Sequence, residues 1–188
     1  MRLSKARISP VEDKDLTADQ AEILAPMAER GPVLNIFRTL VREPKAMTGF
    51  LAWGNYILSR RNGLAARERE IVILRTGYLC RSGYEWTQHA GIGLRAGLTE
   101  DEVQRLKAGA DAGWSPADAA LIRATDELHR DQFITDATWA ALAAHFDEKQ
   151  RMDVVFTAGQ YTQVSMMLNT FGVQLDPGQT LDPDLKGF

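Results

Sequence analysis

The sequence predicts an all-α protein of about eight helices with an arm at each end. Three observations carry this prediction. Apolar residues recur at helical spacing, while strand-like alternation is scarce. Ala, Leu, Glu, Arg and Gln, all good helix formers, fill the long segments. Capping residues, prolines and glycines fall between those segments, where helices start and stop.

Residues 1–16 are predicted to form an extended arm, since Pro10 and the charged run Glu12-Asp13-Lys14-Asp15 offer no amphipathic face. Thr17 can cap a helix running to about Ala28, with Pro26 straining its end. Gly31-Pro32 breaks the chain, and Val33 to Val41 reads as a short helix. Pro44 suits the first turn of the next one, which carries Met47, Phe50, Leu51, Tyr56, Ile57 and Leu58 to about Arg60. Asn62-Gly63 signals a stop and a turn. From about Ala65 to Leu79 apolar residues cover most of the circumference, which marks a central helix. The chain is expected to break near Cys80 to Gly83 and to restart as a helix from Tyr84 to Ala96, ended by Gly97. Thr99-Glu100-Asp101-Glu102 is a capping box that opens another helix. Ser115 and Pro116 fit the cap and first position of a helix to about Arg130. Asp136 is read as the cap of Ala137 to Phe146, and a last long helix covers about Lys149 to Phe171. Pro177-Gly178 and Pro183 mark an irregular tail.

A chain of 188 residues suits one packed domain, so residues 1–188 are read as a single unit. The net charge of -3 comes from 25 acidic and 22 basic residues, well mixed, and no basic block points to nucleic acid. The one cysteine, Cys80, rules out an intramolecular disulfide and a multi-cysteine metal site. Three scattered histidines and the lack of a glycine-rich phosphate loop give no reason to expect a metal or a cofactor. Nothing near Met1 resembles a signal peptide, and no apolar run approaches the roughly 20 residues that span a bilayer. A cytoplasmic protein that meets a small molecule, and neither a membrane nor nucleic acid, is the expectation.

Chemistry concentrates in Tyr84-Glu85-Trp86-Thr87-Gln88-His89. Glu85 and His89 are four residues apart, about one helical turn, so they share a face. A carboxylate beside an imidazole moves its pKa across the neutral range, and such a pair can hold and pass a proton. Ser82 lies nearly two turns before His89 on the same side of a continuous helix. Trp86 would flank the site as a wall, and Tyr84, Ala90 and Ile92 would project elsewhere. Cys80 would lie about opposite His89 if the helix ran unbroken that far. Glu70 stands at the edge of an apolar face, where it serves either a proton relay or a salt bridge with Arg67 or Arg75. His129 and His145, near helix ends, read as cations favoured by the helix dipole. Trp53, Trp86 and Trp139 read as core or interface anchors. Tyr161 and Asn169 on the last helix could point into a pocket or satisfy a buried seam.

The run Arg67-Glu68-Arg69-Glu70-Ile71-Val72-Ile73-Leu74-Arg75, then Tyr84-Glu85-Trp86 with His89, then Ala96-Gly97-Leu98-Thr99, resembles the carboxymuconolactone decarboxylase and alkylhydroperoxidase D superfamily. Phe37-Arg38-Thr39-Leu40, Asp126-Glu127-Leu128-His129, Trp139, Leu168-Asn169 and Gly172-Val173 extend the similarity over most of residues 30–176, with its core at about 45–130. The resemblance implies an alkylhydroperoxidase D-like fold, in which a helical hairpin core builds trimers or hexamers (a dimer is the alternative), with sites near subunit contacts. In the peroxidase branch of that family the motif is a glutamate, then C-x-x-C, then a histidine four residues past the second cysteine. Those positions fall on Glu70, Ser82, Glu85 and His89, so the frame of the relay is present and both redox sulfurs are missing. Cys80 fills neither slot.

Ser82 and Glu85 cannot carry disulfide-cycling peroxidase chemistry, which needs an attacking thiolate and a resolving thiol. The resemblance therefore implies a cofactor-free acid–base lyase or isomerase of the lactone decarboxylase kind, acting on a small carboxylated lactone or aromatic-catabolism intermediate. Glu70, Glu85 and His89 are its candidate catalytic residues. Ser82, Tyr84 and Trp86 are candidate substrate contacts, and Arg75 or Arg38 could hold a substrate carboxylate, although each also suits a structural salt bridge. A peroxidase using Cys80, and a non-catalytic oligomeric binding protein, are the alternatives.

Overall fold

The computed structural model describes residues 1–187. These residues form nine α-helices and no strand: α1 (Ala18–Ala28), α2 (Asn35–Leu40), α3 (Pro44–Leu58), α4 (Ala66–Leu79), α5 (Gly83–Arg95), α6 (Glu100–Arg105), α7 (Pro116–Asp131), α8 (Asp136–Ala143) and α9 (Glu148–Phe171). Local chemistry sets most of the boundaries. Thr17 accepts from the Gln20 backbone while the Gln20 side chain accepts from the Thr17 backbone, a reciprocal cap that fixes the start of α1. Thr99 with Glu102 does the same for α6, and Ser115 caps α7 with Pro116 behind it. One cap differs from the sequence reading. Thr135, not Asp136, accepts from the Thr138 backbone and starts α8, leaving Asp136 in the first turn, where its charge suits the positive helix end.

The all-round apolar pattern of α4 has the expected consequence. Every residue from Glu70 to Gly77 is buried, and the helix packs against α5, α7 and α9. Ile71, Val72, Ile73 and Leu74 are fully enclosed; each such side chain contributes about 1.5–3 kcal/mol by leaving water. Truncation of Leu74 to alanine would cost about 2–5 kcal/mol.

α4 and α5 form a hairpin with a sharp corner. Cys80 closes α4, Arg81 takes the left-handed conformation (φ 53°) that usually falls to glycine, and Ser82 starts α5. The Ser82 N–H donates back to the Gly77 carbonyl at 2.9 Å, which locks the corner. Because of this break, the unbroken helix that would put Cys80 opposite His89 does not exist. Two glycines let the hairpin close tightly. A Cβ on Gly77 would lie 3.3 Å from Glu85 Cγ, and one on Gly93 would lie 3.2 Å from Leu74 Cδ1.

Both arms are irregular apart from short 3-10 turns at Asp13–Asp15 and Pro183–Leu185, yet they are packed. The backbones of Arg7 and Ile8 donate to the Phe171 carbonyl, and the Met1 ammonium donates to the Leu185 carbonyl. Lys107 pairs with Asp182 and Asp184. Among the described residues no helix is long and apolar enough to cross a membrane.

Candidate active site

The α4–α5 hairpin brings three sequence-predicted residues into one line. The His89 Nδ1–H donates to Glu70 Oε2 at 2.7 Å, and His89 Nε2 lies 3.1 Å from Glu85 Oε1. All three are buried, at 1% exposure for Glu70, 3% for Glu85 and 7% for His89. The imidazole thus bridges two carboxylates, one from each arm of the hairpin. Glu70 does not pair with Arg67 or Arg75: Arg67 spans Glu102 and Asp118, and Arg75 binds Asp126.

Burial pushes the Glu85 carboxyl up; the charge on His89 opposes this and that on Glu70 adds to it, leaving Glu85 at about 7. Burial alone would push the His89 imidazole down, but the two neighbouring carboxylates outweigh it and raise its pKa. The site therefore holds a proton between Glu85 and His89 at neutral pH, the condition for acid–base work.

Glu85 and His89 open onto a cavity of about 200 Å³ between α2, α3, α5 and α9. Its walls are mainly apolar, with Ile36, Phe37, Phe50, Leu51, Ile57 and Val164 among them. Glu70 stays behind His89, outside the lining. Tyr161 lines the cavity with its ring edge-on to His89, centroids 4.9 Å apart, and burial raises its hydroxyl pKa well above the usual value. Tyr84 and Ile92, expected to project elsewhere, line the same cavity, because it wraps around α5 and meets more than one face of it. The Tyr84 hydroxyl donates to Asp176 Oδ2 at 2.6 Å, and Gln88 Nε2 donates to the same oxygen at 2.6 Å. Asp176 Oδ1 accepts from the Asn35 backbone, so one tail carboxylate ties α2 and α5 together at the cavity wall.

The other candidate contacts are elsewhere. Ser82 stands at the N-cap position of α5 without a side-chain cap bond, fully buried and outside the lining, since it lies at the corner before the first turn of the helix. Trp86 turns into the core, where its ring meets Tyr78 at 5.6 Å and Lys107 at 5.4 Å, because one residue past Glu85 is about 100° around the helix. Arg75 donates to Asp126 and to the Leu106 and Lys107 carbonyls. Arg38 binds Asp13 and the Val11 and Val33 carbonyls, holding the N-terminal arm. Neither arginine lines the cavity, so neither is placed to hold a substrate carboxylate.

Cys80 lies in a separate open groove of about 630 Å³, beside Arg2, Arg7 and His129. Burial pushes its thiol pKa up. His129 Nδ1 is 3.7 Å from the Cys80 sulfur, and burial, with Arg75 adding to it, lowers the His129 pKa; the expected cation at the end of α7 is therefore disfavoured. Asn169 serves this groove, donating to the Cys80 carbonyl at 2.9 Å. Trp53 and Trp139 sit at the surface, 40% and 36% exposed. Among the described residues no group of three or more His, Cys, Asp or Glu is placed to hold a metal ion.

Gln160 and Gln88 line the cavity without having been singled out in the sequence. Gln160 adjoins Tyr161 in a largely apolar helix, and Gln88 is one turn past Tyr84; both were signals of a polar edge.

Residues 44–127, which include α3 to most of α7, match the model of the carboxymuconolactone decarboxylase family. No curated protein matches the chain. Among solved structures, it is similar to an alkylhydroperoxidase AhpD core, an uncharacterized peroxidase-related protein from Ralstonia eutropha JMP134, with a TM-score of 0.78 and 21% identity over 90% of this chain and 93% of that one. An uncharacterized peroxidase-related protein from Silicibacter sp. TM1040 superposes with a TM-score of 0.75 at 13% identity, over 94% and 92% of the two chains. The debrominase Bmp8, in complex with 2,3,4-tribromopyrrole, superposes with a TM-score of 0.76 at 11% identity, over 93% and 94%. The family match over residues 44–127 and these shared folds both support the carboxymuconolactone decarboxylase and alkylhydroperoxidase D-like superfamily, whose fold this chain shares.

Proposed function

We propose that this protein is a cofactor-free acid–base enzyme of the lyase or isomerase kind, acting on a small molecule in the cytoplasm. The observation that carries the reading is the Glu70–His89–Glu85 line, whose Glu85 end faces a largely apolar cavity. Glu85, poised at about 7, takes a proton from a carbon acid and returns it. His89 keeps a positive charge beside the negative charge that develops on the substrate, and Glu70 fixes the orientation of the imidazole through Nδ1. Burial of all three side chains strengthens each of these interactions.

Peroxide reduction at Cys80 has less support. Burial favours the unreactive thiol, and Cys80 belongs to a groove that does not contain the Glu85–His89 pair. The two readings part in one experiment. The protein is incubated in D₂O with a panel of lactones and cyclic enones, and separately with peroxide and a thiol reductant. Deuterium incorporation that is lost in Glu85→Gln and kept in Cys80→Ser is expected. Peroxide turnover lost in Cys80→Ser and kept in Glu85→Gln, with no deuterium incorporation, would overturn the proposal.

Self-association into a trimer, hexamer or dimer belongs to the same proposal. Trp53, Leu58, Phe133, Met152, Val155 and Met166 are large apolar side chains left exposed on one copy, and a second copy would cover such surface. Sedimentation at micromolar concentration is expected to show an oligomer, and a monomer would contradict it.

A further inference from the structure

We infer that the substrate is an uncharged, ring-sized carbonyl or enol compound, not a carboxylated one, and that the reaction relocates a proton without loss of carbon dioxide. This rests on the acid–base reading above and adds the substrate class. Three observations on the same cavity support it. Among the described residues no Lys or Arg lines it. Arg69 acts on His89 through its charge, but from outside the lining, and its Nη1 donates to the Ser59 carbonyl at 3.4 Å. A substrate carboxylate would therefore be buried beside Glu85, and His89, the lining group that can carry a positive charge, already has one ring nitrogen on Glu70 and the other on Glu85, so a further buried carboxylate would go without a partner.

The second observation is polar capacity left open on one wall. Gln160 and Tyr161 are each 95% buried and line the cavity, yet among the described residues no group hydrogen-bonds the Gln160 amide or the Tyr161 hydroxyl. Tyr84 and Gln88, by contrast, are already committed to Asp176. Donors without a protein partner are free to meet a ligand atom. The amide N–H or the phenolic O–H can donate to the oxygen of a carbonyl turning into an enolate.

Size is the third. About 200 Å³ of mainly apolar space admits a single ring with short substituents and is smaller than typical drug-sized sites. The step balances within these residues. Glu85 as carboxylate takes the proton on the carbon next to the carbonyl. The C–H electron pair forms a new C=C bond, and the carbonyl π pair moves onto oxygen, which accepts from the Tyr161 hydroxyl or the Gln160 amide. Glu85 then returns the proton at the far carbon of the conjugated system, which restores the carbonyl and leaves the double bond shifted. No oxidant, reductant or leaving group is required.

A matched pair of probes tests the substrate class by binding alone. Calorimetry compares the methyl ester of para-hydroxybenzoic acid with the free acid, at a pH where the acid is ionised. The ester is expected to bind at least tenfold more tightly. Tyr161→Phe should weaken the ester several-fold, with the helical circular-dichroism spectrum unchanged. Asn55→Arg, which sets a cation at the exposed cavity rim, should raise the affinity of the acid and leave the ester unaffected. Equal or tighter binding of the acid by the unmodified protein would overturn the inference. If the ester binds as expected but no lactone or enone exchanges deuterium, the acid–base reading fails and the ligand class stands. If exchange occurs only on carboxylated compounds, the acid–base reading stands and this inference fails.

Discussion

Glu85 and Asp153 are both carboxylates sealed inside the same helical bundle, at 3% and 0% exposure, and they behave in opposite ways. Asp153 receives the Tyr56 hydroxyl at 2.8 Å, the Gly63 N–H at 2.6 Å and the Lys149 ammonium at 2.7 Å. Burial alone would raise its pKa, but these donors hold it below the usual carboxylate value. It fastens the turn after α3 to α9 and has no capacity left. Glu85 has one imidazole for a partner, a second carboxylate nearby and an open cavity on its other side, so its pKa rises to about 7. Burial does not distinguish a structural acid from a chemical one; the number of donors already committed to it does.

The largest effect that would break this contrast is on turnover. Glu85→Gln removes the group that carries the proton and is expected to slow proton exchange on the active substrate by at least about 100-fold. Its folded stability should stay within about 1 kcal/mol of the parent, since the amide has no charge to desolvate. A similar rate in the variant would place the chemistry elsewhere. Asp153→Ala should do the reverse. Denaturant unfolding is expected to show a loss of about 3 kcal/mol as charge-assisted bonds disappear, while the activity per folded molecule is retained.

A pH series sharpens the comparison further. Glu85 has its folded pKa raised from about 4.5 to about 7, so the folded state holds a proton there that the unfolded chain has released. Its contribution to stability is therefore fully present at low pH, falls as pH rises from about 4.5 through 7, and is lost above. His89, also raised, adds a contribution that is lost as pH rises through its own folded value. Asp153, depressed, contributes above its unfolded value of about 3.8 and loses that contribution only as the solution turns acid. Glu85→Gln should flatten the neutral-pH slope of stability and leave the acid limb intact, a difference readable in unfolding midpoints. The smallest expected effect is at the tail. Asp176→Asn weakens three contacts at the cavity wall and should cost about 1 kcal/mol. It should raise KM more than it lowers kcat, because it shapes the wall and carries no proton.

The sequence made some of this readable and hid the rest for physical reasons. Thr17, Thr99 and Ser115 announce helix starts because their partners lie three residues away on the same strand of chain. Glu85 and His89 were readable as a pair for the same reason, one helical turn. The Glu70–His89 bond was only partly so: the carboxylate's edge position marked it, but its partner is 19 residues on, across a corner that Arg81 makes in place of a glycine. The cavity wall contributed by α2 and α3, and the Asp176 tie from the tail, depend on how distant segments pack, which no local spacing encodes. Arg75 and Arg38 show the converse: each could have faced a substrate, and nearby carbonyls and carboxylates took them instead.

The contrast between the two acids can be read directly by carboxyl ¹³C NMR on protein labelled at Glu and Asp, titrated from pH 3 to pH 9, with Glu85→Gln and Asp153→Asn used for assignment. A Glu85 midpoint near 7, with Asp153 already ionised well below it, is expected. A Glu85 midpoint at or below its ordinary 4.5 would contradict a buried carboxyl poised to exchange protons, and with it the acid–base reading of the site.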